Sequence, residues 1–383
     1  MCPSSLPPPV VVADPDSLQG LARALAACPI VAVDTESNSL HAYRERVCLI
    51  QFSTPEADYI VDPLALPDLD ALAPLFANGA QQKVFHAAEY DLICLRRDYH
   101  FEVTNIFDTM TAARTLGWPQ VGLAAILDSH FGVQMNKKYQ RADWKRRPLM
   151  QEQLDYARLD THYLVALRDR QLQALTESGR WPEAQEEFER LASQRGDSEG
   201  AVPDPLAFWR VKGARELGPA RAGVLQALFA YREREAERMD RPPFKVMGDA
   251  TLMDLARTAP RRAEDVHGLS PEQMRRHARG VLQAIEQGLR DPAPQAPAVE
   301  RESDEVRDRY DRLHTWRKET ARARGVESDV ILPRAALRDL ARRPPRTLAD
   351  LAQIADFGPW RRGLYGPEIL ALLAGGGPSP DRG

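Results

Sequence analysis

The sequence of 383 residues predicts a mixed α/β domain followed by two small all-α domains. Two observations lead to this fold class. Residues up to about 176 alternate β-rich runs with amphipathic segments, whereas residues after 206 contain a helical pattern that occurs twice at constant spacing. The length also exceeds that of a usual single domain, so two or three domains are expected.

The first part of the chain has the elements of an α/β domain. Its β-rich runs cover residues 30–35, 47–53, 58–62 and 83–86. Its amphipathic segments lie around residues 16–27, 88–98, 122–131 and 151–176. Only short turns separate the first three β-rich runs, so the pattern favours an antiparallel start over an all-parallel sheet. Periodicity alone establishes no more than the α/β class.

The second half of the chain repeats itself. Matched residues between 228 and 260 have counterparts 85 residues later, between 313 and 345. The clearest pairs are Tyr231-Arg232 with Trp316-Arg317, and Asp254-Leu255-Ala256-Arg257 with Asp339-Leu340-Ala341-Arg342. The period is longer than that of solenoid repeats and needs no gap over this stretch. We therefore interpret it as a duplicated all-α module.

Two stretches rich in Gly, Pro and polar residues, 193–205 and 291–297, separate the three parts. We expect the α/β domain to cover residues 1–195. The two helical domains are expected over residues 206–290 and 304–375, and the Gly-rich end, 376–383, is predicted to form a disordered tail.

The formal net charge of −4 combines two unlike halves. Residues 1–200 contain 19 Lys and Arg against 28 Asp and Glu, a net charge of −9, whereas residues 201–383 contain 32 against 27, a net charge of +5. The acidic half suits metal binding and the basic half suits contacts with phosphates. A net charge of +5 is also ordinary for a soluble domain, so charge alone gives only a modest preference.

Composition argues against several protein classes. No apolar run is long enough to span a membrane, and residues 1–9 lack the basic stretch and apolar core of a secretion signal. The four cysteines form no Cys-x-x-Cys pair and fit thiols in a reducing compartment better than disulfides or zinc sites. We therefore expect a cytoplasmic protein without membrane contact. The oligomeric state stays open.

Five residues have the chemistry of a metal-dependent phosphodiesterase. Asp34 and Glu36 end an apolar run, and side chains two residues apart in a strand point to the same face. Tyr156 and Asp160 are four residues apart in a segment with helical character, so a phenol and a third acid can share one helix face. Asp91 supplies a fourth carboxylate. Hard ions prefer oxygen ligands, and this set suits two divalent ions about 3.5–4 Å apart.

Each of these motifs is common when taken alone, but their order and flanking sequences are specific. With the segments 46–52, 83–91 and 144–149, the chain resembles the ribonuclease D family of 3′-to-5′ exonucleases, whose motifs carry Asp-x-Glu, a single Asp and Tyr-x-x-x-Asp. The resemblance covers about half of the chain and implies a ribonuclease H-like fold with a mixed sheet. The duplicated module resembles the HRDC domain of ribonuclease D and RecQ-type helicases, which often contacts nucleic acid.

The resemblance also implies a role for each motif residue. Asp34 would bridge two Mg²⁺ or Mn²⁺ ions, Glu36 and Asp160 would complete the first site, and Asp91 would serve the second site through waters. Tyr156 would orient the attacking water. A phenol with a pKa near its ordinary value of about 10 is better suited to this hydrogen bond than to acting as a base at neutral pH.

A basic segment that precedes Tyr156 carries candidates for substrate contact. Cations interleaved with aromatic rings suit a rim that binds a nucleic-acid strand, and a solvated charged loop is the alternative. The candidates are Lys137, Lys138, Tyr139, Trp144 and Arg146.

Other neighbouring residues carry weaker signals. His86 could touch the substrate or be a packed, hydrogen-bonded residue. Tyr43 and Val47 are candidates for the pocket of the terminal base. A helix cap explains Asp108, with substrate positioning as the alternative. Ser37 stands where many members of the family have a bulky aromatic residue, which changes the expected pocket wall and leaves the metal ligands in place.

The leading hypothesis is a metal-dependent 3′-to-5′ exoribonuclease that releases nucleoside 5′-monophosphates. It would trim the 3′ ends of tRNA and other structured RNA precursors, with the helical domains gripping the RNA. A 3′-to-5′ DNA exonuclease acting on single-stranded DNA stays open, because no residue can be assigned to recognition of the 2′-hydroxyl. An inactive scaffold that binds nucleic acid is the alternative from another class, and the presence of all four acids argues against it.

Overall fold

The structure is a computed structural model that describes residues 6–194, 204–297 and 302–375. The expected disordered tail, 376–383, lies outside the described residues. Within the described ranges, no helix combines the length and apolar character needed to cross a lipid bilayer.

The α/β domain is built on one six-stranded sheet with the strand order β1-β4-β3-β2-β5-β6. The strands are β1 (Val10–Val12), β2 (Ile30–Ser37), β3 (Val47–Ser53), β4 (Asp58–Val61), β5 (Gln82–Phe85) and β6 (Ile106–Asp108). All seven residues of β3 are buried, as expected for a central strand covered on both faces.

The sheet is mixed, which confirms the predicted fold class. Strands β3 and β4 are antiparallel, with Ser53 opposite Asp58, as the short turn between them predicted. Strand β1 is parallel to β4, and β5 is parallel to both β2 and β6. The short strands β1 and β6 were not among the β-rich runs, because three residues are too few to show alternation.

Within residues 6–194, eight α-helices belong to this domain. They are α1 (Pro15–Ala26), α2 (Ala73–Ala77), α3 (Glu89–Tyr99), α4 (Thr109–Leu116), α5 (Leu123–Phe131), α6 (Gln151–His162), α7 (Leu164–Glu177) and α8 (Trp181–Ser193). The single amphipathic segment expected over 151–176 is divided at Tyr163 into α6 and α7. Helix α1 begins with a capping box in which Asp14 accepts from the backbone of Ser17.

The two helical repeats have the same succession of long, short, medium and long helices. The first helical repeat contains α9 (Pro219–Arg238), α10 (Pro243–Val246), α11 (Asp249–Thr258) and α12 (Pro271–Arg290). The second helical repeat contains α13 (Asp304–Arg324), α14 (Ser328–Ile331), α15 (Arg334–Arg342) and α16 (Pro359–Ala374). The spacing between equivalent helix starts is 85 residues for the first three helices and 88 for the last. Three extra residues therefore precede α16.

Contacts divide the chain into two units. One unit combines the α/β domain with the second helical repeat, and the other combines residues Ser37–Arg46 with the first helical repeat. In the first repeat, α9 and α12 approach closely at Gly223 and Gly288, where a Cβ on Gly288 would lie 2.5 Å from the Gly223 carbonyl oxygen. The second repeat packs Trp316 against Tyr365 in its core.

Candidate active site

The first two acids lie near the carboxyl end of β2. Asp34 and Glu36 are both half-buried, and β2 is paired with β5 in parallel register from Ile30 to Ala32. Their side chains share one face of the strand because the strand repeats every two residues. The strand therefore directs two carboxylates to one place, as the Asp-x-Glu spacing predicted.

Helix α6 supplies the third acid. One ligand oxygen from each of Asp34, Glu36 and Asp160 lies within 4.8 Å of the others. Because Asp160 lies 126 positions after Asp34 and 124 after Glu36, only the tertiary fold brings it to the other two acids. Asp91, in the first turn of α3, is buried and accepts a hydrogen bond from the Thr35 hydroxyl. That bond ties the fourth acid to the strand carrying the first two.

The acids repel one another in the absence of cations. Burial raises the pKa of Asp34 well above its ordinary value, and the charges of Asp91, Asp160 and Glu36 raise it further. Burial and the charges of Asp160 and Asp91 likewise raise the pKa of Glu36. Burial raises the pKa of Asp91 to about 7, and burial together with Asp91 raises that of Asp160 to about 8.

This donor set fits divalent cations. Hard ions such as Mg²⁺ and Mn²⁺ take carboxylate oxygens as ligands, and clustered acids of this kind need positive charge to ionise together. The three oxygens within 4.8 Å of one another could surround one ion. Asp91 lies outside that group of three, although its charge acts on both Asp34 and Glu36.

Tyr156 lies on α6 one turn before Asp160. Its ring is buried, and its pKa is raised by burial and by the charges of Asp160 and Glu36. Trp144 stacks on it with ring centroids 6.1 Å apart, and Tyr139 lies at 6.1 Å in a tilted arrangement. A phenol held neutral in this way can donate or accept a hydrogen bond but is a poor general base.

The expectation that Trp144 and Tyr139 present their rings to a nucleic-acid strand is wrong. Trp144 is 1% exposed and Tyr139 is 8% exposed, since both rings pack in the small apolar cluster around Tyr156. Burial of large aromatic surface stabilises this cluster more than exposure to water would. The two rings therefore pack against Tyr156, the candidate catalytic tyrosine.

The basic residues of the same segment differ from one another. Lys138 and Arg146 are exposed, and the Lys138 ammonium lies 5.2 Å from the centroid of the Tyr139 ring. The side chain of Lys137 lies outside the described part of the structure. Arg147 forms a two-point salt bridge with Asp62, at 2.6 and 2.7 Å, and is thus part of the scaffold.

The next candidate for substrate contact is His86. His86 is half-buried, and its Nδ1 lies 2.9 Å from the Thr109 hydroxyl, which itself donates to the Phe85 carbonyl. The Nδ1 of His86 therefore carries the proton in this arrangement, which fits a packed, hydrogen-bonded histidine. Burial lowers the pKa of His86.

The structure describes both candidates for a base pocket, Val47 and Tyr43. The Val47 side chain is fully buried in the core, and its N–H donates to Asp98 at 2.7 Å, so the side chain has no surface to offer a base. Tyr43 belongs to the segment Ser37–Arg46, and its N–H donates to Asp240. In the same segment, the Ser37 hydroxyl donates to Glu45 at 2.6 Å.

Sequence reasoning missed two contacts of this site. Thr35 holds Asp91, and the only signal was its position between the two acids of the first motif. Asp108 caps α4 by accepting from the Thr111 N–H, as the capping interpretation expected, and also accepts from the Ala88 N–H at 2.6 Å. Asp108 thereby fixes the entry to the helix that carries Asp91.

Comparison with known families agrees with this geometry. Residues 9–175 match the 3′-5′ exonuclease family, and residues 221–285 and 306–373 each match the HRDC domain. The HRDC matches cover the two helical repeats, and the exonuclease match includes all four acids and Tyr156.

Three individual proteins that are similar to this chain cover different shares of it. The protein RRP6-like 3 of Arabidopsis thaliana is 46% identical over 153 residues, 40% of this chain, and the chain spans 17% of that relative's length. Escherichia coli RNase D, an exoribonuclease involved in structured RNA processing, has the same fold, with a TM-score of 0.70 at 24% identity over 96% of this chain and 98% of its own. The ribonuclease D of Granulibacter bethesdensis is 30% identical over 387 aligned residues, which cover 97% of this chain and 94% of the relative. The chain thus belongs to the ribonuclease D family of 3′-5′ exoribonucleases.

Proposed function

We propose that this protein removes nucleotides one at a time from the 3′ end of RNA and releases nucleoside 5′-monophosphates. Its substrates would be the 3′ ends of tRNA and other structured RNA precursors. The observation that carries the proposal is the convergence of Asp34, Glu36 and Asp160 within 4.8 Å. Membership of the ribonuclease D family supports RNA as the substrate.

The cofactors in this proposal are two divalent ions, Mg²⁺ or Mn²⁺. Asp34, Glu36 and Asp160 would hold one ion, with Asp34 shared, and Asp91 would serve the second. Such ions lower the pKa of a coordinated water and stabilise charge on the departing 3′ oxygen. Tyr156 would orient the attacking water by a hydrogen bond, because its raised pKa keeps the phenol protonated.

Exposed cations would guide the RNA backbone. In the α/β domain, Lys138 and Arg146 are exposed in the segment that leads into α6. In the first helical repeat, a cleft of about 700 Å³ is lined by Arg221, Arg261 and Arg262 together with one acid, Asp265. Arginine forks suit phosphate oxygens, so this cleft is our candidate for a phosphate contact on the first repeat. A cytoplasmic location is part of the same proposal.

The central experiment compares 5′-labelled single-stranded RNA with DNA of the same sequence, in Mg²⁺, in Mn²⁺ and in chelator. We expect a ladder that shortens from the 3′ end only when metal is present, and faster on RNA. Asp34→Asn should abolish the ladder, and Tyr156→Phe should slow it by about 10²-fold, because a hydrogen bond to the attacking water is lost.

Glu152→Gln is the matched control. Glu152 is an exposed acid in the first turn of the same helix, and its substitution should leave the rate unchanged. Equal rates for wild type and Asp34→Asn would refute the metal assignment. A preference for DNA would refute the RNA substrate while leaving the nuclease site in place.

A further inference from the structure

We propose that Asp58 is a positioning residue for the metal ligand Asp160 and acts through His162. This inference rests on the proposed metal site and adds a residue that none of the exonuclease motifs contains. Asp58 begins β4, whereas Asp160 and His162 lie in the last turn of α6.

The contacts of Asp58 are those of a buried anchor. The Asp58 carboxylate is 8% exposed, and its two oxygens lie 3.0 and 2.9 Å from Nδ1 of His162. It also accepts a hydrogen bond of 2.7 Å from the Ser53 hydroxyl, which lies 2.7 Å from the hydroxyl of Thr161. Asp58 therefore holds two successive residues of α6, His162 directly and Thr161 through Ser53.

The direction of the hydrogen bond follows from the chemistry of the groups. A carboxylate only accepts, so His162 donates from Nδ1. The ring also packs edge-on against Tyr163, with centroids 4.6 Å apart. Leaving a buried carboxylate without hydrogen-bond donors costs free energy. Movement of the end of α6 away from Asp58 is therefore unfavourable, and the network holds the helix end in one place.

The other end of the α6 segment is anchored in the same way. Asp62, immediately after β4, binds Arg147 through both oxygens, and Arg147 also donates to the carbonyls of Cys48 and Trp144. Strand β4 is paired on both sides, with β1 and β3. An acid at each end of one fixed strand thus holds the chain before α6 and at its end.

Asp160 depends on this anchoring because its own side chain is not held. Among the described residues, no hydrogen bond from another protein group reaches the Asp160 carboxylate, so the placement of the helix sets its position. Metal ligands must be held to within about 0.5 Å of their working geometry. Residues that orient ligands from outside the coordination sphere are worth about 10–100-fold in metal affinity or activity.

The test replaces the donor while keeping the ring. His162→Phe removes the Nδ1 proton but preserves the contact with Tyr163. His162→Asn places an amide N–H close to the position of Nδ1 and should restore the bond to Asp58. Binding of Mn²⁺ to the full chain without RNA, measured by calorimetry and by electron paramagnetic resonance, reports on the site independently of activity.

We expect His162→Phe to bind Mn²⁺ about tenfold more weakly than wild type. It should need correspondingly more Mg²⁺ for half-maximal RNA degradation, with an unchanged KM for RNA, and His162→Asn should stay within about twofold of wild type on both measures. Far-ultraviolet circular dichroism at the assay temperature checks that both variants are folded.

Two outcomes would overturn the inference. One is Mn²⁺ binding by folded His162→Phe that equals that of wild type. The other is an equal loss in His162→Phe and His162→Asn, because the restored donor would then have no effect. Failure of wild type itself to bind Mn²⁺ would instead refute the proposed metal site, so the two failures can be told apart.

Discussion

The last helices of the two helical repeats begin in different ways. Helix α12 is capped by its own sequence, since the Ser270 hydroxyl accepts from the Gln273 N–H and the Gln273 side chain accepts from the Ser270 N–H. Helix α16 has Gly358 at the equivalent position and no side-chain cap of its own. A carboxylate from the α/β domain takes that place, because Glu186 of α8 accepts from the Trp360 N–H at 2.6 Å.

The residue three positions after each cap shows the same contrast. Gln273 donates to the carbonyls of Lys245 and Val246. Its counterpart Arg361 donates to the carbonyl of Val330, which is equivalent to Lys245, and in addition pairs with Glu186 at 3.0 Å and with Glu187 at 3.1 Å. One contact is common to both repeats, and the ion pairs belong to the second alone.

These contacts join the second repeat to the α/β domain. Helix α8 presents acids to the second repeat, and Glu183 also pairs with Arg324 at 2.5 Å while fully buried. A side chain on Gly358 would have to displace the Glu186 carboxylate, since a Cβ at Gly358 would overlap the Glu186 Cδ. The second repeat has exchanged its own cap for one supplied by its neighbour.

The interior of the module is retained in both copies. Arg232 and Arg317 each donate to the carbonyl of an equivalent residue, Met247 and Leu332. An edge-on ring pair also recurs, Tyr231 with His277 in the first repeat and Trp316 with Tyr365 in the second. The repeats therefore diverged at the start of the last helix and kept the packing beneath it.

The largest effect is expected at the buried ion pairs. Arg361→Ala removes the cation that is paired with the buried Glu186, while Glu187 keeps its pair with Arg190, and we expect the free energy of unfolding to fall by about 3–5 kcal/mol. The equivalent change Gln273→Ala removes neutral hydrogen bonds and should cost about 1 kcal/mol. Urea unfolding of both variants measures the difference, and equal losses would show that α8 adds nothing to the second repeat.

Exchanging the caps should give an intermediate effect. Gly358→Ser installs the cap of the first repeat where Glu186 leaves no space, and overpacking should cost about 1–3 kcal/mol. The reciprocal Ser270→Gly should cost only about a few tenths of a kcal/mol, because Gly is a tolerated N-cap. Thermal unfolding distinguishes the two, and a stabilising Gly358→Ser would contradict the close contact with Glu186.

The smallest expected effect is a pH dependence of stability that differs between the two repeats. Without metal, burial keeps protons on Asp91 up to a pH of about 7 and on Asp160 up to about 8, far above their ordinary pKa near 3.8. The folded chain then binds more protons than the unfolded chain, so stability falls as the pH rises from 6 to 7, by at most about 1.4 kcal/mol for each group. The loss ends above a pH of about 8, where both acids are ionised in the folded chain as well.

Hydrogen exchange, corrected for intrinsic rates, locates that loss. In chelator we expect the protection of α13–α16, which share a unit with the acids, to fall with rising pH, while that of α9–α12 stays constant. Saturating Mg²⁺ should remove the pH dependence. A parallel loss in α9–α12 would mean that the two repeats respond alike.

The amino-acid sequence alone predicts the α/β class, the antiparallel start and the duplicated helical module, and its resemblance to the ribonuclease D family selects the four acids and Tyr156 as candidates. These features follow from local rules: the period of two in a strand, the period of 3.6 in a helix, and the oxygen ligands that hard ions require. The cap formed by Asp108 is likewise visible in a short segment, because a cap involves residues only a few positions apart.

Which side of these patterns is buried depends on tertiary packing. Trp144 and Tyr139 match an exposed stacking surface as well as a core, and the packing around Tyr156 selected the core. Nothing within α16 shows that Arg361 is buried beside two acids of α8, 174 and 175 residues earlier. Such contacts depend on how distant segments meet, and a local pattern describes only what each segment can offer.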